Sequence, residues 1–95
     1  MKKIENEYTN SIFENIKHID ENGNEFWEAR ELMPLLEYSK WENFHKVIKH
    51  AMIACETSNN KVSDHFPEFR KMVDIGSNTK RETTDYHLSR YACYL

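Results

Sequence analysis

Five histidines and two cysteines are the side chains of this 95-residue chain best suited to hold a metal ion or attack a substrate. His18, His45, His50, His65 and His87 are spread along its whole length. No two of them stand four apart on a helical pattern with a third ligand nearby, and no HExxH occurs. They read as surface or cap histidines. Cys55 and Cys93 fall in apolar helical patterns outside any CxxC pair, so they read as reduced core residues. Two glycines are too few for a phosphate-cradling loop. These residues specify no enzyme, no metal and no cofactor.

Charge is the other chemistry the chain offers. Lys40, Asn43, Lys46, Lys49 and His50 lie off the apolar stripe of one predicted helix, where they can meet phosphates or base edges. Lys80 and Arg81 are adjacent cations at the end of a polar loop, residues 76–81, which can act as a wing. Each feature also has a plainer reading. The helix can belong to an αα-hairpin packed on a sheet, and the loop can be a solvated hairpin turn. The residues alone leave both open.

The elements that position these groups follow from periodicity. Residues 9–15 suit a short helix with Ile12 and Phe13 inward. Residues 16–19 alternate as a strand, and Asn22-Gly23 suits the positive φ angles of a tight turn before a return strand at 25–27. Ala29, Leu32 and Leu36 share one face of a helix that Pro34 must shorten or kink. After a turn at 38–40, Ser39 with Glu42 forms a capping box for a long helix on which Trp41, Phe44, Ile48, Ala51, Met52 and Cys55 recur. Residues 57–60 end it. Residues 61–70 are irregular, with Ser63 and Asp64 capping a single turn. Strands at 71–75 and 81–88 flank the polar loop, with Val73 and Ile75 on one face. Ser89 caps a last helix of which residues 90–95 are present. The fold class is α+β: an N-terminal β-hairpin, a helix-turn-helix-like pair, a second β-hairpin and a truncated C-terminal helix. Residues 1–10 are expected to be a flexible segment ahead of a domain at 11–95.

Composition fits one small globular domain with an aromatic core, at 39% hydrophobic, 13% aromatic and 31% charged residues. The net charge of -3 excludes an indiscriminate cationic binder. Residues 1–38 carry four Lys/Arg against nine Asp/Glu, and residues 39–95 nine against seven. An anionic partner therefore meets the second part, unless the asymmetry is surface scatter. No signal peptide and no run near the roughly 18 apolar residues of a membrane span occur, so the expected location is cytoplasmic.

Three separated runs carry a family resemblance: FENIKHIDENGNEFWEARELMPLLEYSKWENFHKVIKHA at 13–51, NKVSDHF at 60–66 and KRETTDYHLSRYACYL at 80–95. In order they resemble the bacterial DNA-damage-inducible protein D family. Trp27, Ala29, Leu32, Leu36 and Tyr38 also match a pattern of the Bro-N domain of viral and phage antirepressor-like proteins. One departure is visible. Family members usually carry Gly where Glu37 stands, so a left-handed backbone there would be strained.

The resemblance implies a Bro-N-like domain from the N-terminal part of a longer protein, linked to DNA binding and the SOS response. It implies action on recombinase filaments formed on single-stranded DNA, and no enzymatic activity. The partners expected are DNA, single- or double-stranded, a recombinase filament, or a second copy of the chain. The alternative is a protein-interaction or oligomerisation module without direct DNA contact. The final helix then reads as a fragment boundary. It either docks on the core or leaves Tyr91, Tyr94 and Leu95 partly exposed.

Overall fold

The computed structural model describes Ile4 and residues 6–95. α1 (Glu7–Asn15) opens where the Asn6 side chain accepts from the Thr9 N–H at 2.7 Å, an N-cap that satisfies one of the helix's orphan donors. It starts two residues ahead of the predicted position, and Ile4 before it is buried. Of the segment expected to be loose, Ile4 and residues 6–10 thus belong to the fold, while residues 1–3 and 5 lie outside the described residues.

β1 (His18–Ile19) and β2 (Glu25–Glu28) form the first antiparallel hairpin, with His18 opposite Phe26. β1 is shorter than predicted because Ile16 is spent as the C-cap of α1. The turn also differs from the expected Asn22-Gly23 pair of positive φ angles. Only Gly23 is left-handed there, at φ 82°. The Asp20 carboxylate accepts from the N–H groups of Asn22 and Asn24, both at 2.9 Å, and so sets a longer loop.

α2 (Ala29–Leu35) is short, as Pro34 requires. It ends in a Schellman motif. The Tyr38 N–H donates to the Met33 carbonyl at 3.1 Å and the Glu37 N–H to the Pro34 carbonyl at 3.0 Å. Glu37 takes the left-handed position of that motif, at φ 66°. The strained arrangement anticipated for a non-glycine residue is therefore present. α3 (Trp41–Thr57) buries Phe44, Ile48, Ala51 and Cys55 along the expected stripe. Its N-cap is Lys40, with no side-chain cap bond, so the Ser39–Glu42 capping box does not form. The Lys40 carbonyl receives the Asn43 and Phe44 N–H groups, which leaves Ser39 one residue outside the helix. A second Schellman motif closes α3, with Asn59 at φ 64°.

α4 (Val62–His65) is the single turn expected, but Lys61 caps it and Ser63 and Asp64 lie inside. β3 (Glu68–Gly76) begins three residues earlier than predicted. It pairs with β4 (Thr79–Leu88) from Glu68 opposite Tyr86 to Gly76 opposite Thr79, with a bulge between Asp74 and Gly76. Ser89 caps α5 (Arg90–Tyr94), accepting from the Ala92 N–H at 3.0 Å, as its sequence position foretold.

The four strands form one curled antiparallel sheet in the order β1-β2-β4-β3. β2 joins β4 only at Trp27 opposite Leu88 and Glu28 opposite His87, so most of β3 and β4 is a two-stranded ribbon. The core lies between the helices and the sheet face that carries Trp27, Leu88 and Tyr86. Trp27 anchors it. Its ring stacks on Phe13 at 4.2 Å, and its Nε1–H donates to the Phe13 carbonyl at 2.7 Å. α5 docks through buried Ala92 and Cys93, which leaves Tyr91 and Leu95 half-buried and Tyr94 53% exposed. Of the two alternatives for this end, docking on the core is the one seen, and it still leaves Tyr94 exposed.

Candidate nucleic-acid interface

The start of α3 is held by Arg30. Its backbone N–H donates to the fully buried Asp85 carboxylate at 3.1 Å, its Nε to the Thr84 carbonyl at 3.0 Å and its Nη2 to Thr83 Oγ1 at 2.7 Å. β4 has lost β2 as a partner at these residues, and α2 covers the edge instead. The same guanidinium lies over the Trp41 ring. Trp41 stacks in turn on His45, whose Nε2 is 2.8 Å from the Tyr86 hydroxyl. Burial, with help from Lys49 and Arg30, lowers the His45 pKa below its ordinary value against an opposing pull from Glu68. Burial, with Glu68, raises that of Tyr86. The shifts favour the neutral form of both groups, which share one hydrogen bond.

This frame presents the predicted residues of α3 to solvent. Lys40, Asn43, Lys46, Lys49 and His50 are all exposed along the side opposite the buried stripe. Ile53, one turn beyond Lys49, is 63% exposed on the same side and was not anticipated. Lys80 and Arg81 are not in a loop. The tip is only Ser77-Asn78, and both cations lie inside β4. They are opposite Asp74 and Val73 respectively, so they point to opposite faces of the ribbon. Lys80 shares the face on which Tyr86 meets α3, and Arg81 does not. The structure thus brings the five α3 residues together and separates the two cations of β4.

Four of the other described cations are spent in ion pairs, although Lys61 and the Arg30 guanidinium are not. Among the described residues Lys40, Lys46, Lys49, Lys80 and Arg81 make no ion pair, whereas Lys17, Arg70, Lys71 and Arg90 do. Arg90 binds both carboxylates of the acidic first part that face it: Glu14 Oε1 and Glu25 Oε1, each at 2.6 Å. Those bonds lower the pKa of Glu14 and Glu25 and raise that of Arg90. Part of the acidity read in residues 1–38 is therefore consumed by a cation from residues 39–95.

On the sheet face away from the core, four rings cross all four strands. His18 stacks on Phe26 at 5.2 Å, Phe26 on His87 at 4.1 Å, and His87 meets Phe69 at 3.9 Å. The ring faces are used on one another, so this ladder braces the sheet and offers little free face to a base. Burial lowers the His87 pKa, with Glu28 and Asp85 opposing and His18 and Lys71 assisting. The face also assembles His18, Glu28 and Glu31, whose ligand atoms lie within 4.8 Å of one another. Their places in β1, at the end of β2 and in α2 hide this group from any spacing rule. Lys71 Nζ sits 2.7 Å from Glu28 Oε1 and 3.4 Å from Asp85 Oδ2, so an ammonium already balances one of the group's two carboxylates. The thiols offer no nucleophile. Burial raises both pKa values, that of Cys93 to about 12. No described helix is long and apolar enough to cross a membrane.

Comparison with known proteins matches residues 15–95 to the BRO family, N-terminal domain. The chain belongs to this family. It is also 53% identical over 83 residues to the DNA damage-inducible protein D of Escherichia coli (strain K12). That match covers 87% of this chain and 30% of the relative, so the chain spans under a third of that relative's length. No solved structure matches. The family match takes in α2, α3, the ribbon and α5, and so all seven candidate residues.

Proposed function

We infer that this Bro-N domain is a recognition domain of the DNA-damage (SOS) response that contacts DNA through the outward side of α3 and the adjoining face of the ribbon. The observation that carries the reading is the set of unpaired cations. Lys40, Lys46 and Lys49 stand with Asn43 and His50 on one side of a helix whose start is fixed by Arg30, while Lys71 and Arg90 are spent on carboxylates of the domain itself. Lys80 extends the surface along the ribbon, and Arg81 meets backbone only if the ribbon enters a groove. α2 and α3 then serve as the helix-turn-helix-like pair, with phosphate contacts supplying affinity. The name of the Escherichia coli relative supports the damage-response assignment. The domain works by binding and catalyses no reaction.

The test is charge reversal. K46E and K80E together, in a protein that keeps its far-ultraviolet spectrum, should weaken binding to DNA by about tenfold or more. Full retention of binding would sink the assignment of this surface.

A second reading has its own support. α3 carries Glu42 and Glu56 beside its lysines, and the ribbon strands hold as many acidic as basic residues. A balanced surface suits a protein partner such as a recombinase filament. Capture of this domain by filament, undiminished in the double reversal, would favour that partner over DNA.

A further inference from the structure

β3 is an edge strand. β4 occupies one side of it, and no described strand occupies the other. Its nine residues expose a row of backbone donors and acceptors. They also expose Met72 and Ile75, at 58% and 57%, two of the largest apolar surfaces of the chain. A two-stranded ribbon that leaves such side chains in water is marginal by itself. The sequence of β3, Glu-Phe-Arg-Lys-Met-Val-Asp-Ile-Gly, reads as its own complement when folded back on Met72.

We propose that β3 is the interface of a homodimer, pairing antiparallel with β3 of a second copy about a twofold axis at Met72. In this register Arg70 stands opposite Asp74 of the partner subunit, and Asp74 opposite the partner's Arg70. Met72 meets the partner's Met72 on the axis between these two charge pairs. On the other face Val73 lies against the stem of the partner's Lys71, and Phe69 approaches the partner's Ile75. Opposite charges and apolar pairs across strands are the contacts that stabilise a sheet. Neighbouring registers lack the opposite-charge pairs. Moving the axis to Lys71 sets Glu68 against the partner's Asp74, and moving it to Val73 sets Met72 against the partner's Asp74.

The cations used are compatible with this packing. Lys71 keeps its internal bonds to Glu28 and Asp85, and Arg70 is exposed, with only a surface pair to Glu82 at 3.6 Å. Two features stop the assembly at two copies. The bulge between Asp74 and Gly76 ends regular pairing near the tip. The other edge of the sheet is β1, with two residues, too short to recruit a further strand. The product is a closed dimer with one continuous sheet, isologous as a twofold interface must be. The interface owes nothing to DNA contact.

Sedimentation velocity of the free chain from about 5 to about 500 µM tests it, the range in which a short strand-to-strand contact should dissociate. The wild type should pass from monomer to dimer. R70D sets acidic groups opposite one another at two places, and D74R sets cations opposite one another, so each should weaken dimerisation about tenfold or more. An equimolar mixture of R70D and D74R should recover the dimer, because each chain then offers the other opposite charges at both places. A wild type that stays monomeric throughout overturns the proposal. So do single variants that dimerise like wild type, or a mixture that fails to recover.

Discussion

The guanidinium of Arg30 lies 4.0 Å from the centroid of the Trp41 ring while its Nε and Nη2 bond to Thr84 and Thr83. One side chain thereby couples the start of α3 to the open edge of β4. Replacing it by methionine keeps the stem and removes the cation. The loss should be at least about 2 kcal/mol, because a half-buried cation–π contact and two charged hydrogen bonds are removed together. A urea denaturation midpoint reads it. Because α3 is then less well fixed, DNA affinity should fall as well, although Arg30 itself is half-buried.

Asp85 is fully buried and accepts from the N–H groups of Arg30 and Tyr86 and from Lys71. Alanine there would leave two backbone donors without their acceptor and take from Lys71 one of its two carboxylates. A loss of about 3 kcal/mol follows, the range for breaking a buried charged network. Asparagine, which keeps one acceptor oxygen, should lose less. Equal midpoints for the alanine variant and wild type would remove Asp85 from the account.

Glu37 holds a left-handed backbone that glycine adopts without cost. The cleanest comparison is between E37G and E37A, since both lack the glutamate side chain. The glycine variant should be more stable than the alanine variant by about 1 kcal/mol. The reverse order would mean that the Schellman turn does not form in solution.

His45 and His87 both have pKa values lowered by burial from an ordinary 6.5. The folded state therefore holds them neutral, while the unfolded chain takes up protons first as the pH falls. Their contribution is complete above the unfolded pKa and is lost as the pH drops below it toward the folded values. Stability should be higher at about pH 7.5 than at about pH 5.5. The lowered carboxylates of Glu14 and Glu25 lose their contribution in a separate window below their own ordinary value of 4.5. H45Q combined with H87F should flatten the upper window and leave the lower one. An unchanged upper slope would contradict the burial of these rings.

Much of this was legible in the chain. The α3 stripe, the Ser89 cap and the two hairpins announced themselves through periodicity and turn residues. Errors came where a competing local bond was invisible. Asp20 sets the first turn by bonding two amides ahead. Lys40 begins α3 with its carbonyl, so Ser39 is bypassed. Lys80 and Arg81 looked like a shared tip because the sequence does not reveal how far a ribbon pairs. Once Thr79 joins β4, the two alternate between faces. Arg30 drew no attention, since its partners Thr83, Thr84 and Asp85 are more than fifty positions away. The Arg90 bonds that consume acidic charge are equally long-range.

The claim that α3 and the ribbon bind DNA is tested most directly by affinity against salt. Fluorescence anisotropy of labelled single- and double-stranded DNA, from about 25 to about 300 mM salt, gives the slope of log affinity against log salt concentration. A contact made by Lys40, Lys46, Lys49 and Lys80 predicts a steep negative slope, near −0.9 per phosphate engaged on duplex and about −0.7 on a single strand. K46E with K80E should make it shallower. No binding of either DNA at the lowest salt, or binding whose slope the double variant leaves unchanged, would contradict the account.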